Sequence, residues 1–307
     1  MVRAGHPALY PAILAHLFIS PFTYIVAKYA VGAMPVPAVA LLRFYIAAVA
    51  LSLLWLGTGG RPGQFSARDW RGLAWLGLLA VPLNQGMFLW GMQRSSPAHA
   101  ALFFATTPLL VLLAGVLRGE DRFTWLRLGG LLAALAGVLL VLLDRGLALD
   151  RRHLAGDLLM LVAVVAWALY SVESQARMRE HPPITVTAVS LVLGALMTLP
   201  AAPWVFGDFR PAAYPAAAWG AVLFLGLVTS VLSYYLWVWC LSRTEASRVA
   251  VFSNFQPVLT TVLAWLLFHE RFAPHFFVGG ALVLAGVGMV QWSGGRAAAP
   301  GSGMAEP

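Results

Sequence analysis

Charge is what this chain has least of. Only 10% of its 307 residues are Asp, Glu, Lys or Arg, against about 25% in a soluble globular domain. A chain so poor in charge cannot cover itself with a water-facing surface. Cysteine is nearly absent too: Cys240 stands alone, which excludes a disulfide framework and a cysteine metal site. No H-E-x-x-H, no G-x-S-x-G and no Walker-type glycine loop is present, so the sequence offers no catalytic residue, metal site or cofactor site. The net charge of +8 does not point to nucleic acid, because the basic residues stand singly between apolar runs and form no stripe or arm.

Apolar residues make up the balance, at 60% of the chain with a mean hydropathy of +0.80. A spanning helix needs about 20 mostly apolar residues. By that measure there are ten segments, approximately 8–30, 37–57, 71–92, 97–117, 124–143, 154–176, 184–204, 216–241, 246–268 and 274–293. The first is too long for a signal-peptide core and is read as retained. Connections are short and carry Gly, Pro or charge. The most charged of them, Asp144–His153, reads as a linker between halves, and the Gly/Ala/Ser/Pro-rich residues 294–307 read as a disordered tail.

The two halves are copies. Arg94–Val141 aligns with Arg243–Val290 without a gap at a constant offset of 149, with 14 of 48 positions identical. The matches include Pro108/Pro257, Arg122-Phe123/Arg271-Phe272, Gly130/Gly279 and the Leu-Ala-Gly-Val runs ending at Val138 and Val287. Scattered Leu and Ala coincidences would not place a proline, an acid-Arg-Phe turn and a glycine-spaced helix in register, so this is an internal repeat. Each copy has a small or polar helix start, a mid-helix Pro, a Leu-rich run, an acidic turn (Glu120-Asp121-Arg122 and His269-Glu270-Arg271) and a closing G-x6-AGV helix.

That pattern resembles the EamA repeat of the drug/metabolite transporter superfamily. Leu42-Arg43-Phe44 and Trp167-Ala-Leu-Tyr-Ser171 extend the match over roughly residues 8–292. The resemblance implies an all-α membrane protein of two inverted five-helix repeats, residues 1–147 and 148–293. It also implies a secondary transporter, not an enzyme, that exports small amphiphilic metabolites such as amino acids by alternating access. A non-transporting scaffold and an intramembrane enzyme are the alternatives. The expected partners are a small-molecule substrate and membrane lipid. The expected location is a bacterial inner membrane.

Polar side chains inside such segments are unfavourable unless they meet a partner or a wet cavity, so each is a candidate. Ser230, Ser233, Tyr234 and Trp237 fall at i, i+3, i+4 and i+7, on one helical face. Asn254 and Gln256 flank a second set beside Pro257. Thr106 precedes its repeat partner Pro108. Asn84 sits with Gln85 and Phe88 on the third segment, Trp167 and Tyr170 on the sixth, and His16 and Ser20 on the first. The candidate binding set is therefore His16, Ser20, Asn84, Phe88, Thr106, Trp167, Tyr170, Ser233, Tyr234, Trp237, Asn254 and Gln256. Pro108 and Pro257, each of which removes a backbone hydrogen bond, are candidate hinges. Local bonds of Ser and Thr to their own helix, and glue between helices, are the competing readings. Arg43, about 9 Å along its segment at 1.5 Å per residue, reads as a packing or outer-gate residue. Trp55, Trp70, Trp204 and Trp219 read as interfacial.

The small faces Gly130-xxx-Ala134, Ala133-xxx-Gly137 and Ala281-xxx-Ala285 let helices approach closely. They suit packing within the chain or a homodimer through the fifth and tenth segments. With the N-terminus inside, cytoplasmic loops carry twelve arginines and outer loops six, which places both termini in the cytoplasm. The prediction is that a cysteine at Ala298, in a Cys240→Ser background, resists membrane-impermeant thiol reagents in intact cells and reacts after permeabilisation. Labelling in intact cells reverses the orientation.

Overall fold

The computed structural model describes residues 8–117, 124–142, 151–243 and 255–297, which are helical with short connections and contain no strand. The helices, numbered in chain order, are α1 (Leu9–Ala33), α2 (Val36–Gly57), α3 (Ala67–Arg94), α4 in two pieces (Pro97–Phe104 and Thr107–Leu117) and α5 (Trp125–Leu142). The second half holds α6 (Arg151–Arg177), α7 (Pro183–Phe206), α8 (Ala216–Leu241), α9 (Phe255–Phe268) and α10 (Pro274–Ala297). Seven are long and apolar enough to cross a membrane: α1, α2, α3, α4, α6, α7 and α8. The apolar stretches of α5, α9 and α10 are shorter, Leu128–Val141, Gln256–Phe268 and Pro274–Met289. The expected count of ten full spans is thus met by seven spans and three shorter apolar helices among the described residues. α10 also runs to Ala297, past the expected end at 293 and through Gly294-Gly295, so the first residues of the expected disordered tail are helical.

Local sequence explains where helices begin. At α3, Ser66 and Asp69 form a reciprocal capping box, with Asp69 N–H donating to Ser66 Oγ at 3.2 Å and Ser66 N–H to Asp69 Oδ2 at 2.9 Å. Ser96 caps α4 with Pro97 at the first helical position, and Pro183 opens α7; a proline there loses no intrahelical bond. α9 ends where His269 takes φ 52°, the left-handed turn that commonly stops a helix. This sits in the acid-Arg turn of the second repeat. The equivalent turn of the first lies outside the described residues.

Packing follows the repeat. α2 lies on α8 and α7 on α3; α1 lies on α8 and α6 on α3; α1 lies on α9 and α6 on α4. Shifting one member of each pair by the repeat offset gives the other. The close approaches obey the same rule. A Cβ at Gly77 on α3 would lie 2.5 Å from the Ser190 carbonyl oxygen of α7, and one at the repeat-equivalent Gly226 on α8 would lie 3.2 Å from the Arg43 carbonyl oxygen of α2. Leu14, Phe18, Leu53, Leu139, Val262 and Trp265 face outward, as a lipid-embedded surface requires. Trp204 is 83% exposed, as an interfacial residue is, whereas Trp55 is buried and donates to Thr185 Oγ1 at 3.2 Å. The Trp55 indole N–H near the end of α2 is thus spent on α7.

α5 and α10 pack along each other through their glycines. A Cβ on Gly137 would lie 2.5 Å from the Gly279 carbonyl oxygen, and one on Gly286 would collide with that of Gly130. These contacts use Gly130, Ala134 and Gly137 of α5 within the chain, whereas Ala281 and Ala285 of α10 are exposed. Gly137→Ala and Gly279→Ala should each destabilise the detergent-solubilised protein by about 1–3 kcal/mol, the usual cost of overpacking. Gly288→Ala, where an added Cβ meets nothing within 4 Å, should be neutral or stabilising. Thermal unfolding checks all three.

Candidate functional site

The buried apolar side chains form two clusters, and the polar residues lie at the level between them. On α1 one cluster takes Leu9 and Ile13 and the other Tyr24 to Val31; on α3 the division falls between Val81 and Phe88, and on α8 between Leu225 and Tyr234. In those gaps stand His16, Thr23, Asn84, Gln85, Thr229, Ser230 and Ser233, all buried. Arg43 takes the same position on α2, between Val39 and Phe44. The bundle therefore has a polar belt across its middle.

Two stretches of the belt share an unusual backbone. Leu79–Gly86 of α3 and Phe224–Ser233 of α8 are π-helical. Wider turns of this kind are rare and recur at functional sites. Pro82, which lacks an N–H, lies inside the first. The second holds Gly226, where α2 comes close. α3 and α8 are repeat partners, so both copies carry the irregularity.

From α8 the predicted polar face reaches four helices. Arg43 Nε of α2 donates to Ser230 Oγ at 2.7 Å. Ser233 Oγ lies 2.9 Å from His16 Nδ1 of α1. Tyr234 OH donates to Asn84 Oδ1 at 3.0 Å and accepts from Gln85 Nε2 at 3.0 Å. Trp237 Nε1 donates to Ser171 Oγ of α6 at 3.3 Å. Asn84 Nδ2 donates to the Ala163 carbonyl of α6 at 2.7 Å, and Gln85 Nε2 also donates to Asn84 Oδ1 at 2.6 Å. Gln85 and Tyr234 are repeat equivalents, 149 positions apart, and they touch. Only residues beside the axis that relates two copies can do that.

Aromatic rings wall one side of the belt. Trp167 stacks on Tyr170 at 5.6 Å between ring centroids, meets Tyr234 edge-on at 5.1 Å and approaches Trp237 at 5.5 Å. His16 lies 5.1 Å from Trp237. His16, Asn84, Trp167, Tyr170, Ser233, Tyr234 and Trp237 are thus brought together. The other candidates sit elsewhere. Phe88 packs with Tyr24 and Phe104 in a separate ring group. Ser20 and Thr106 bond carbonyls of their own helices, His16 O at 2.9 Å and Phe103 O at 2.7 Å. Gln256 is buried on α9, and Asn254 lies outside the described residues. Pro108 follows the break between the two pieces of α4, and Pro257 is the third residue of α9.

The sequence reading missed Arg43 as part of the belt and Gln85 as its axial member. It also missed a buried group away from the belt: Asp157 of α6 accepts from Ser95 Oγ and lies 3.1 Å from His99 Nδ1, while Lys28 Nζ donates to the Met92 and Ser95 carbonyls at 3.0 and 2.5 Å. These contacts tie the α3–α4 turn to α1 and α6. At the opposite end His181 Nε2 meets Asp69 Oδ1 at 3.1 Å with Glu180 nearby; Asp69 is already engaged in the α3 capping box.

Comparison with known proteins gives one consistent result. The description of the EamA-like transporter family matches residues 9–143 and 154–292. "Uncharacterized transporter YyaM" of Bacillus subtilis is 26% identical over 284 residues, 92% of this chain and 93% of its own length. The "Probable terminal-alkyne amino-acid exporter" of Streptantibioticus cattleyicolor is 27% identical over 257 residues, 83% of this chain and 84% of its own. A solved crystal structure superposes with a TM-score of 0.66 at 21% identity, covering 96% of this chain and 100% of that one, a likeness of fold.

The triangle of Asn84, Gln85 and Tyr234 should behave as a unit. Tyr234→Phe and Gln85→Ala are each expected to cost about 0.5–2 kcal/mol, the range for hydrogen bonds between membrane helices. The double variant should cost clearly less than their sum, because both remove one shared interaction. A double-mutant cycle of unfolding in mixed micelles measures this, and strict additivity would remove the triangle.

Proposed function

Because this chain belongs to the EamA-like transporter family, we propose that it is a secondary transporter that exports small amphiphilic metabolites, amino acids foremost, by alternating access between its two repeats. The observation that carries the reading is the belt: buried polar groups and stacked aromatic rings gathered where side chains of α3 and α8 meet at the repeat axis. Buried groups of this kind are costly in a membrane and are kept where substrate passes. The rings offer apolar and π surface, and Asn84, Ser233 and Gln85 offer hydrogen bonds, which suits a substrate with a sizeable apolar part and a compact polar end. The relative named as an amino-acid exporter supports the same substrate class.

In this reading all ten helices belong to two inverted five-helix units, both termini lie in the cytoplasm, and the protein sits in a bacterial inner membrane. Pro108 and Pro257 serve as the flexing points of α4 and α9. The buried carboxylate Asp157 is engaged at the α3–α4 turn, away from the belt, so uniport or exchange fits better than coupling through a midplane acid. A scaffold would have no use for a polar layer of this extent. An intramembrane enzyme would need a nucleophile with its base, or a metal site, among these residues.

Competition flux in proteoliposomes tests the substrate class. Unlabelled Phe, Trp and Leu should inhibit uptake of labelled Phe several-fold more strongly than Asp, Glu or Lys. Equal or better inhibition by the charged amino acids would overturn the assignment. Trp237→Ala should weaken apparent affinity, and an unchanged value removes that ring from the site.

A further inference from the structure

Arg43 is the one arginine of the belt, and its side chain is completely buried. Its Nε is held by Ser230 and its guanidinium carbon lies 5.3 Å from the Phe44 ring centre. Both terminal nitrogens, Nη1 and Nη2, lack a hydrogen-bond partner, and among the described residues no carboxylate pairs with it. A guanidinium in the middle of a bundle is expensive to keep charged without an anion. Packing alone does not require it, since a Met or Leu would fill the same volume without that cost. Its two free nitrogens form a fork whose natural complement is a carboxylate bound through both oxygens.

A second orphan faces the same cluster with the opposite character. Gln85 Oε1 is buried and accepts no hydrogen bond. Its orientation is fixed by its neighbours: Asn84 Nδ2 must donate to the Ala163 carbonyl, so Asn84 Oδ1 is an acceptor, and it can be met at 2.6 Å only by the Gln85 amide nitrogen. Gln85 Oε1 is therefore a vacant acceptor. α8 links the two orphans, since the Tyr234 hydroxyl accepts from Gln85 and Ser230, one helical turn before it, holds Arg43. A forked donor and an isolated acceptor, set beside stacked aromatic rings, are the complement of one chemical group.

Resting on the transport reading above, we infer that Arg43 and Gln85 form the recognition pole for an α-amino carboxylic acid in its zwitterionic form. The guanidinium fork takes the carboxylate, Gln85 Oε1 takes a proton of the ammonium, and the substrate side chain lies against Trp167, Tyr234 and Trp237. In this conformation Arg43 is sealed between α2 and α8, which touch at Gly226. The carboxylate enters when those helices part. The net charge brought in is zero, so the pole accepts neutral amino acids, whereas a second side-chain charge would remain uncompensated beside the rings. This adds to the packing or gate role that the position of Arg43 in the sequence suggests.

The experiment compares L-phenylalanine with L-phenylalaninamide, which lacks the carboxylate, and with 3-phenylpropionate, which lacks the amine, as competitors of labelled L-phenylalanine in proteoliposomes. In the unmodified protein L-phenylalanine should compete about tenfold or more better than either analogue, because a site built to hydrogen-bond a group rejects ligands without it. Arg43→Lys keeps the charge and loses the fork. It should reduce the preference over the amide severalfold while flux of the amide itself persists, which also shows that the variant is folded. Ser230→Ala, which frees the guanidinium to reorient, is a milder second variant expected to shift the same ratio in the same direction. An unchanged acid-to-amide ratio in both variants overturns the role of Arg43 and leaves the transport reading standing. Competition by 3-phenylpropionate equal to that by phenylalanine overturns the role of Gln85. Absence of saturable flux for all three compounds overturns the transport reading and this inference with it.

Discussion

In a bilayer no water waits to satisfy a buried polar group, so such a group needs a partner in the protein or in a molecule that it binds. The belt is where that constraint bears hardest, and the bundle is arranged around meeting it. Tyr234 of α8 holds Asn84 and Gln85 of α3, Asn84 holds the backbone of α6, Ser233 holds His16 of α1, and Ser230 holds Arg43 of α2. Five helices are fixed to one another at one level by these bonds. The layers on either side combine apolar packing with a few polar ties, Asp157 and Lys28 at the α3–α4 turn on one side and Trp55–Thr185 and His181–Asp69 on the other.

The duplication explains why the belt lies where it does. Two copies related by an axis bring equivalent residues together only at that axis, and the pair that meets is Gln85 with Tyr234. The copies have diverged there: an amide faces a phenol, and the histidine of α1 and the arginine of α2 correspond, at the same offset, to Val165 and Val192 in the second copy. A symmetric frame thus encloses an asymmetric centre. Symmetry serves the backbone, through the equivalent approaches at Gly77 and Gly226 and the crossed glycines of α5 and α10. The side chains at the centre are free to serve a substrate that has no symmetry of its own.

Much of this was legible in the sequence, for physical reasons. Helices in lipid must be long and apolar, so their positions read directly. A repeat that preserves Gly130/Gly279 and Pro108/Pro257 preserves backbone constraints, which predict architecture. Seven of the twelve candidate binding residues converge, because a polar side chain within an apolar run has few reasons to be there. The misses have equally definite causes. Helical periodicity assumes an α-helix, and the π turns of α3 and α8 rotate the faces beyond them. Ser20 and Thr106 satisfied themselves on their own helices, a local choice that spacing does not reveal. Arg43 was judged by its depth along one helix, whereas its long side chain reaches across to the centre of another. Asp157 and His99 stand near helix ends, where charge is unremarkable until three segments fold over it.

The account stands or falls on whether the belt is reached from both sides of the membrane. In a Cys240→Ser background, Ser233→Cys places a single thiol in the belt, on the residue before the axial Tyr234. Membrane-impermeant thiol reagents applied to right-side-out and to inside-out vesicles should each label it, at rates that substrate lowers. A thiol that reacts from one face only under all conditions, or from neither, would contradict alternating access through this site.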